Sequence, residues 1–450
     1  MINAIQAKRL GQFPTTNPQV RAVLISLITK ASGRALEPSA GNGDLVRLLE
    51  AHGGFQIEAV ELDEQQINRS RTPFVYQDFF RFADDVEAQG KSYELILANP
   101  PYVPWASVLP ATKTAAARVQ EAYSDKVNLA VLFMDRCLDL LSNNGEMIFI
   151  VPKEWFFATG AAPLRRKLLE GGFFSHFIDC GEEKLFPEAQ IPSLLIFRWV
   201  KTVTETPSIC QYAPDLATAV VGKYQRRLFT VTAGGLFALL SPKLATEMTA
   251  WGTLGDQYLA KVGLVTGLRH IFTLPDEVEV ESEAVQYQAD TLGRRSRFLN
   301  VNHFAHFAEI PPLAARYLLA HKEQLLGRRI IKFDETNWWK FGAVRNQKLM
   351  DSETPRFYVH GKTRSLQPAF VGQPGEAFTG SLLGLFQKPS ADITPAQAVA
   401  LLNSPRYRQI LAGLMLIAGG RLSLHPTVLV DLPFPRHQTE LRAFLDAEAV

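Results

Sequence analysis

The chain has 450 residues, of which 47% are hydrophobic and 20% charged, a composition typical of a globular protein large enough for two domains. Its net charge of +2 is too small to indicate a polyanionic partner by itself, and no low-complexity tract indicates a disordered or fibrous protein. Three widely separated cysteines, an N-terminus without a signal peptide and the lack of a membrane-length apolar run predict a soluble cytoplasmic protein without disulfides or a zinc site.

A helix is predicted near the N-terminus, from about Val20 to Ile28. Thr16 or Asn17 suits its N-cap, and Pro18 suits its first turn. The same threonine hydroxyls and helix N–H groups could instead bind a carboxylate. The local pattern leaves both roles open.

The next segment predicts a strand that ends at Glu37, a glycine turn, and a helix from about residue 44 to residue 51. Glycines between a strand and a helix allow a ligand to approach the backbone closely. A second strand ends at Glu61, where such folds usually bind a ribose diol. Only one such glycine turn is present, which favours a single nucleoside over a dinucleotide.

A third strand is predicted from Phe74 to Phe79 and includes Asp78, an acid beside an aromatic ring that suits a purine. Ligands bind at the carboxyl ends of strands in open α/β sheets. We therefore expect these acids to line one pocket, although each alone would also suit a solvated loop.

The fourth strand, Leu95 to Ala98, runs directly into Asn99-Pro100-Pro101-Tyr102. The prolines restrict the backbone, so the Asn99 side-chain oxygen and the Pro100 carbonyl form a fixed pair of acceptors. Such a pair could take both hydrogens of a planar amino group and return its lone pair to nitrogen, while Tyr102 offers a ring face. An ordinary turn after a strand remains the alternative.

Further elements are predicted at 127–141 (helix), 145–152 (strand), 163–169 (helix), 174–179 and 193–200 (strands). Strands alternating with helices predict a doubly wound sheet. The pattern weakens after residue 201, and we place a domain boundary near residue 246.

In order and content, these motifs resemble those of the gamma-class S-adenosylmethionine-dependent DNA adenine-N6 methyltransferases, especially the Taq-type enzymes of restriction-modification systems. The resemblance implies an α/β fold with a doubly wound, mostly parallel, Rossmann-like methyltransferase sheet of seven or more strands over residues 1–245. It implies a C-terminal, mixed α+β DNA recognition domain over residues 246–450.

The resemblance also implies S-adenosylmethionine as the cofactor. Its binding residues would be Thr15 or Thr16, Glu37, Pro38, Ser39, Gly41, Gly43, Glu61, Leu62, Asp78, Phe79 and Asn99. The catalytic residues would be Asn99, Pro100, Pro101 and Tyr102. The target base would stack on Tyr102 and on Phe186, which lies in a segment similar to the family's Phe-Pro motif.

The C-terminal half resembles the recognition domain of these enzymes more faintly, at 261–269, 358–364 and 401–433. Residues 291–364 carry 14 Lys or Arg against 6 Asp or Glu, a net +8, together with Trp338, Trp339 and Tyr358. This block suits phosphate contact and groove reading, or else a solvated face over a core that contains the tryptophans. The residues assigned to DNA binding are Lys362, Arg364 and Arg421. We interpret His303 and His306, which lack a third ligand, as structural.

We therefore expect methyl transfer to the N6 of an adenine extruded from double-stranded DNA, by a monomer without a metal, in a bacterium or archaeon. A glutamine-N5 protein methyltransferase and an RNA adenine methyltransferase are alternatives, because both also present a planar amino group. A catalytically inactive DNA-binding specificity protein is an alternative of another class. A separately encoded cognate restriction endonuclease and a solitary methyltransferase both stay open.

Overall fold

The computed structural model describes residues 13–181, 185, 193–202, 209–289, 293–418 and 420–447. The chain divides into two compact units. Unit 1 is Met1–Thr246 with Gly413–Gly419, and unit 2 is Glu247–Ala412 with Gly420–Val450. No helix in this described part of the chain is long and apolar enough to cross a membrane. Phe186 lies outside the described residues.

Unit 1 is built on a large mixed sheet. Its strands are β1 (Gly33–Glu37), β2 (Phe55–Glu61), β3 (Phe74–Tyr76), β4 (Tyr93–Ala98), β5 (Leu141–Pro152), β6 (Gly172–Asp179), β7 (Leu194–Lys201), β8 (Ile209–Ala213), β9 (Gln225–Val231) and β10 (Phe237–Leu240). The helices up to the end of its first segment are α1 (Pro18–Leu27), α2 (Asp44–His52), α3 (Phe79–Ala88), α4 (Pro110–Ala115), α5 (Ala117–Gln120), α6 (Leu129–Leu140), α7 (Ala162–Gly171), α8 (Leu216–Val220) and α9 (Pro242–Glu247).

The strand order of this sheet is β10-β9-β8-β6-β7-β5-β4-β1-β2-β3. Strands β1 to β5 run parallel, and β7 lies antiparallel between β5 and β6. The chain order reverses between β1 and β4, and a crevice for a ligand forms at such a reversal. The doubly wound, mostly parallel sheet predicted from the sequence is confirmed, with β8 to β10 as an extension.

The central strands are hydrophobic on both faces because helices cover both. In β4, Leu95 and Leu97 pack into one core with α1 and α2, while Ile96 and Ala98 pack into the other with α3 and α6. A strand alternates its side chains between the two faces, so a continuous apolar run is required here. The run that identified β4 in the sequence therefore has a direct structural cause.

Some boundaries differ from the predicted ones. The strand predicted to reach Phe79 ends at Tyr76, because Asp78 caps α3 by accepting the Phe80 N–H at 3.0 Å. Asn17, one of two proposed caps, caps α1 through the N–H groups of Gln19 (2.9 Å) and Val20 (3.2 Å).

Unit 2 is a mixed α+β structure, as predicted. Its strands are β11 (Gly252–Thr253), β12 (Tyr258–Val262), β13 (Val285–Ala289), β14 (Arg295–Leu299), β15 (Arg356–His360), β16 (Lys362–Thr363), β17 (Ala369–Gly372), β18 (Leu382–Gln387), β20 (Arg421–Ser423) and β21 (Pro433–Phe434), while β19 (Ile417–Ala418) belongs to unit 1. Its helices are α10 (Leu254–Gln257), α11 (Arg269–Phe272), α12 (Pro312–Ala320), α13 (Lys322–Leu326), α14 (Gln347–Met350), α15 (Pro395–Leu402), α16 (Pro405–Gly413), α17 (Pro426–Val430) and α18 (Gln438–Asp446).

The aromatic residues of the basic block belong to the core of unit 2. Trp338 is 3% exposed, Trp339 1% and Tyr358 0%, and all three pack in one cluster with Phe298 and Phe378. These rings are therefore core residues and cannot read a groove, as the alternative interpretation expected for the tryptophans, while phosphate contact by the charged residues of the block stays a prediction. Hydrophobic burial explains their presence without a ligand.

Candidate active site and nucleic-acid interface

A cavity of about 310 Å³ lies in unit 1, beside the carboxyl ends of β1, β2 and β4 and the loop after β3. The predicted site residues that line it are Thr15, Glu37, Pro38, Ser39, Gly41, Glu61, Leu62, Asp78, Phe79, Asn99 and Pro101. Those outside its lining are Thr16, Gly43, Pro100 and Tyr102. The structure thus brings together side chains from four strand ends and the N-terminal segment.

The loop after β1 requires glycine at two positions. Gly41 and Gly43 have φ angles of +53° and +80°, in the left-handed region that other residues rarely adopt. A Cβ at Gly41 would meet no atom within 4 Å, so open space lies over this part of the loop. A Cβ at Gly43 would approach Ser70 and Phe74 at 3.2–3.3 Å. Gly41 therefore leaves room for a ligand, while Gly43 allows close packing.

Glu37 is buried at the end of β1. Its carboxyl accepts hydrogen bonds from the Ser39 N–H at 3.0 Å and the Ser39 hydroxyl at 3.2 Å. Burial outweighs these bonds and raises the pKa of Glu37 to about 8, because the charged form loses its hydration. Glu37 is therefore mostly protonated at neutral pH and can donate a hydrogen bond.

Glu61 ends β2 and lies 5% exposed. One carboxylate oxygen accepts the Gly41 N–H at 2.7 Å, and the other accepts the Asp63 N–H at 2.8 Å. Burial also raises the pKa of Glu61. Each oxygen keeps a second lone pair, so this carboxylate can accept from the two hydroxyls of a ribose while it fixes the glycine loop.

An apolar wall completes the cavity beside Asp78. Phe79 follows Asp78 and stacks on Phe133 of α6, with ring centroids 4.6 Å apart. Val108 and Leu109 line the same cavity. A flat apolar wall next to a carboxylate suits a purine ring with an amino group.

Asn99 is held at its amide end by the N-terminal segment. Its Nδ2 donates to the Phe13 carbonyl at 2.8 Å and to the Thr15 hydroxyl at 3.0 Å. Its Oδ1 accepts from the Tyr102 hydroxyl at 2.5 Å. The predicted acceptor is thus fixed by three partners.

Tyr102 lies differently from the expectation of an open ring face. Its ring stacks on Phe13 at a centroid distance of 5.7 Å, and its hydroxyl lies 2.9 Å from the Ile150 carbonyl as well as near Asn99. Burial raises the pKa of this hydroxyl well above its ordinary value. Tyr102 therefore keeps its proton and braces Asn99.

Sequence reasoning missed Phe13 and the cavity wall formed by Val108, Leu109 and Phe133. Phe13 stacks on Tyr102 and supplies a carbonyl to Asn99, although 86 residues separate the two. An aromatic residue immediately before Pro14-Thr15 was the available signal. The wall residues follow no motif, and only packing places them at the cavity.

The predicted DNA-binding residues lie together in unit 2. Strands β16 and β20 pair antiparallel, with Lys362 opposite Ser423 and Thr363 opposite Leu422. Lys362 begins β16, Arg364 follows it, and Arg421 begins β20; all three are exposed. We call these three residues the basic ribbon. Within the described residues, no group of three His, Cys, Asp or Glu side chains could hold a metal ion.

A segment that contains most of this site matches the model of a known protein family. Residues 41–186 match the model of the Eco57I restriction-modification methylase family. The resemblance to restriction-modification methylases drawn from the motifs is confirmed over this segment. The matched range includes the glycine loop, Glu61, Asp78 and Asn99-Pro-Pro-Tyr.

The chain is also similar to curated type II methyltransferases. The type II methyltransferase M.HincII of Haemophilus influenzae is 31% identical over 196 residues, which are 43% of this chain and 37% of that protein. M.BanIII, a type II methyltransferase of Aneurinibacillus aneurinilyticus, is 23% identical over 399 residues, covering 70% of this chain and 68% of the relative. The chain spans well under half the length of M.HincII.

Among solved structures, the type IIL restriction-modification enzyme MmeI, in complex with DNA, is similar with a TM-score of 0.54. The similarity covers 97% of this chain and 64% of MmeI, at 11% sequence identity. At this identity the likeness shows a shared fold.

Proposed function

We propose that this protein transfers a methyl group from S-adenosylmethionine to the N6 of an adenine extruded from double-stranded DNA, as the modification enzyme of a restriction-modification system. The observation that carries the proposal is the position of Asn99. This residue directly follows β4 and lines a cavity whose other side chains suit the parts of the cofactor. The matched methylase family supports it.

The cavity offers one partner for each part of the cofactor. Glu61 would bind the ribose hydroxyls, Asp78 and Phe79 the adenine, and the Thr15 hydroxyl the methionine carboxylate. We assign the carboxylate to Thr15 because Thr15 is 3% exposed and lines the cavity, whereas Thr16 is exposed outside it. The open space over Gly41 supplies room.

S-adenosylmethionine supplies the electrophilic methyl group. Asn99 Oδ1 and the Pro100 carbonyl would accept the two hydrogens of the adenine amino group. These bonds draw the nitrogen toward a tetrahedral geometry and return its lone pair for attack. Among the hydrogen bonds of the described residues, none ends on the Pro100 carbonyl, although Pro100 is buried and does not line the cavity.

Extruding a base from the duplex costs a few kcal/mol. Stacking on an aromatic ring contributes about 1–3 kcal/mol per base. We assign this role to Tyr102 and to Phe186. The two contributions together would largely offset the cost of extrusion.

Unit 2 would bind the duplex through the basic ribbon, and unit 1 would carry the chemistry. This assignment follows the predicted division into a catalytic domain over 1–245 and a recognition domain over 246–450. A separately encoded endonuclease would be the partner in a restriction-modification pair, and a solitary monomeric methyltransferase is the alternative.

The proposal is tested with labelled S-adenosylmethionine and three substrates: duplex DNA, RNA and protein extract. We expect label on duplex DNA and, on digestion, N6-methyladenine. Sequencing of modified bases in cells that express the gene then gives the recognised site. Label on a glutamine side chain or on RNA alone would overturn the proposal.

Asn99→Ala should abolish methylation and leave cofactor binding nearly intact, because the cavity keeps Glu61, Asp78 and Thr15. Asn143→Ala is the matched control, since Asn143 is exposed and outside the cavity lining. An Asn99→Ala protein that methylates DNA near the wild-type rate would refute the role of this residue.

A further inference from the structure

We propose that the Phe13–Thr15 segment is a positioning element that sets which end of the Asn99 carboxamide faces the target amine. This inference rests on the proposed function, since it concerns how the acceptor of that reaction is oriented. Phe13 and Thr15 would act through Asn99 and would not touch the base.

The nitrogen end of the amide is defined by chemistry. A carbonyl oxygen can only accept, so the Asn99 atom that lies 2.8 Å from the Phe13 carbonyl has to be the donor Nδ2. The second Nδ2 hydrogen goes to the Thr15 hydroxyl at 3.0 Å. Both amide hydrogens are therefore committed to the N-terminal segment.

The oxygen end faces the Tyr102 hydroxyl, which also lies 2.9 Å from the Ile150 carbonyl. The Tyr102 hydroxyl lies 2.5 Å from Oδ1 and, with its proton retained, can donate to it. Oδ1 has two lone pairs, so one stays available for an amino hydrogen. The Phe13 carbonyl thus selects one orientation of a nearly symmetric group, and the two hydroxyl contacts are compatible with it.

The orientation decides whether the site can act. If the amide were rotated by half a turn, Nδ2 would present hydrogens to an amino group that must itself donate, and the Pro100 carbonyl would be left as the sole acceptor of the proposed pair. The rotated amide would also place Oδ1 against the Phe13 carbonyl, where two acceptors repel. The contact between Asn99 and Phe13, which are 86 positions apart in the sequence, therefore fixes the orientation of the acceptor.

The same segment also lines the cavity. Phe13, Pro14 and Thr15 all belong to its lining, and Thr15 accepts from Asn99, so the hydroxyl hydrogen of Thr15 stays available for a ligand. A carboxylate bound there would accept that hydrogen. One threonine would then connect the cofactor to the amide that activates the amine.

The first experiment replaces the amide by a carboxyl group, Asn99→Asp. The ionised carboxylate has acceptors at both ends and is repelled by the Phe13 carbonyl, whereas the protonated carboxyl can donate to that carbonyl through its O–H. We expect single-turnover methylation by Asn99→Asp at pH 8 to be about 100-fold below wild type. Its rate relative to wild type should rise about tenfold per pH unit from pH 8 toward pH 6, as the protonated fraction grows.

Asn143→Ala is the control, because Asn143 is exposed and outside the cavity lining, so its rate relative to wild type should stay near one at every pH. A pH-independent ratio for Asn99→Asp, or a rate at pH 8 within a few fold of wild type, overturns the inference. A loss of folding is recognised separately by circular dichroism and by cofactor affinity. If the wild type methylates DNA but neither the pH profile nor the rate of Asn99→Asp is as expected, the positioning role is refuted and the proposed function is retained.

The second experiment compares Thr15→Val with Thr15→Ser. Valine keeps the shape and loses the acceptor, while serine keeps the acceptor. At saturating cofactor, we expect Thr15→Val to lower the single-turnover rate about tenfold, and Thr15→Ser to stay within about twofold of wild type. Equal rates for wild type and Thr15→Val at saturating cofactor contradict a positioning role for Thr15. If the wild-type protein methylates no DNA, the proposed function is refuted, and this inference is refuted with it.

Discussion

Two buried carboxyl groups, Glu37 and Glu61, stand side by side at the strand ends that form the cavity. The sequence predicted both positions, because acids at the ends of successive apolar strands meet at one edge of an open α/β sheet. It could not predict that Glu37 is protonated near neutral pH, since this depends on the helices and loops that exclude water from it.

This burial makes stability depend on pH. The pKa of Glu37 is about 8 in the folded protein and near 4.5 in the unfolded chain. Between these values the unfolded chain has released a proton that the folded protein retains, so stability falls as pH rises from about 4.5 to 8. Glu37→Gln removes this contribution, and its melting temperature relative to wild type should rise by at least about 2 °C between pH 5 and pH 8. A constant difference across thermal melts at these pH values would contradict the burial of an ionisable group at this position.

The sequence also left Thr15 and Thr16 equivalent, because adjacent threonines in a loop give no sign of which side chain faces inward. The structure separates them by burial and by the bond from Asn99.

Thr15→Val should therefore weaken S-adenosylmethionine binding about tenfold, as expected for the loss of one hydrogen bond to a charged group. Thr16→Val should leave the affinity within about twofold. Isothermal titration of both variants with the cofactor measures this, and a weaker affinity for Thr16→Val alone would reverse the assignment.

At the scale of elements, the strands that carry the site were predictable because their apolar runs must fill cores on both sheet faces. What holds α1 in place was not predictable. Glu146 of β5 accepts from the Thr29 and Lys30 N–H groups that follow α1, at 2.9 and 3.1 Å, and pairs with Arg198 of β7 at 2.6 Å. Glu146 lies 117 positions from Thr29 and 52 positions from Arg198 in the sequence, and only the folded unit brings these residues together.

Arg198→Met should lower the free energy of unfolding by about 3 kcal/mol, because Glu146 is 0% exposed and would lose its cationic partner. The double variant Glu146→Leu with Arg198→Met should be less destabilised than the sum of the two single variants, by about 1 kcal/mol or more. Urea denaturation of the four proteins gives this coupling. Strictly additive effects would show that the pair contributes no coupling.

At the scale of the whole molecule, the net charge of a segment does not show which of its charged residues are exposed and which are buried. The basic block of residues 291–364 contains Arg328 and Arg356, which are buried. Arg328 donates to four carbonyls, including those of Thr266 and Trp338. A count of charges cannot distinguish such structural arginines from those that contact phosphate.

The basic ribbon is the group of exposed basic residues that we expect to meet DNA. Replacing Lys362, Arg364 or Arg421 by alanine should each reduce the steepness of log affinity against log salt concentration by about 0.9, the loss of one phosphate contact. Arg442→Ala, an exposed arginine on α18, is the matched control. Fluorescence anisotropy with a duplex oligonucleotide over a salt series provides the slopes. If the three variants and the control have equal slopes, the residues of the basic ribbon do not contact phosphate.

Unit 1 is not a single stretch of chain, since residues 413–419 return to it after most of unit 2. Met415 lies 3% exposed in the core of unit 1, and a Cβ at Gly413 would approach Leu240 within 2.6 Å. An expression clone that stops at residue 246 would leave a vacant space where Met415 packs. Exchanging recognition parts between related proteins would therefore require junctions after residues 246, 412 and 419, and a single cut at residue 246 would separate residues 413–419 from the catalytic half.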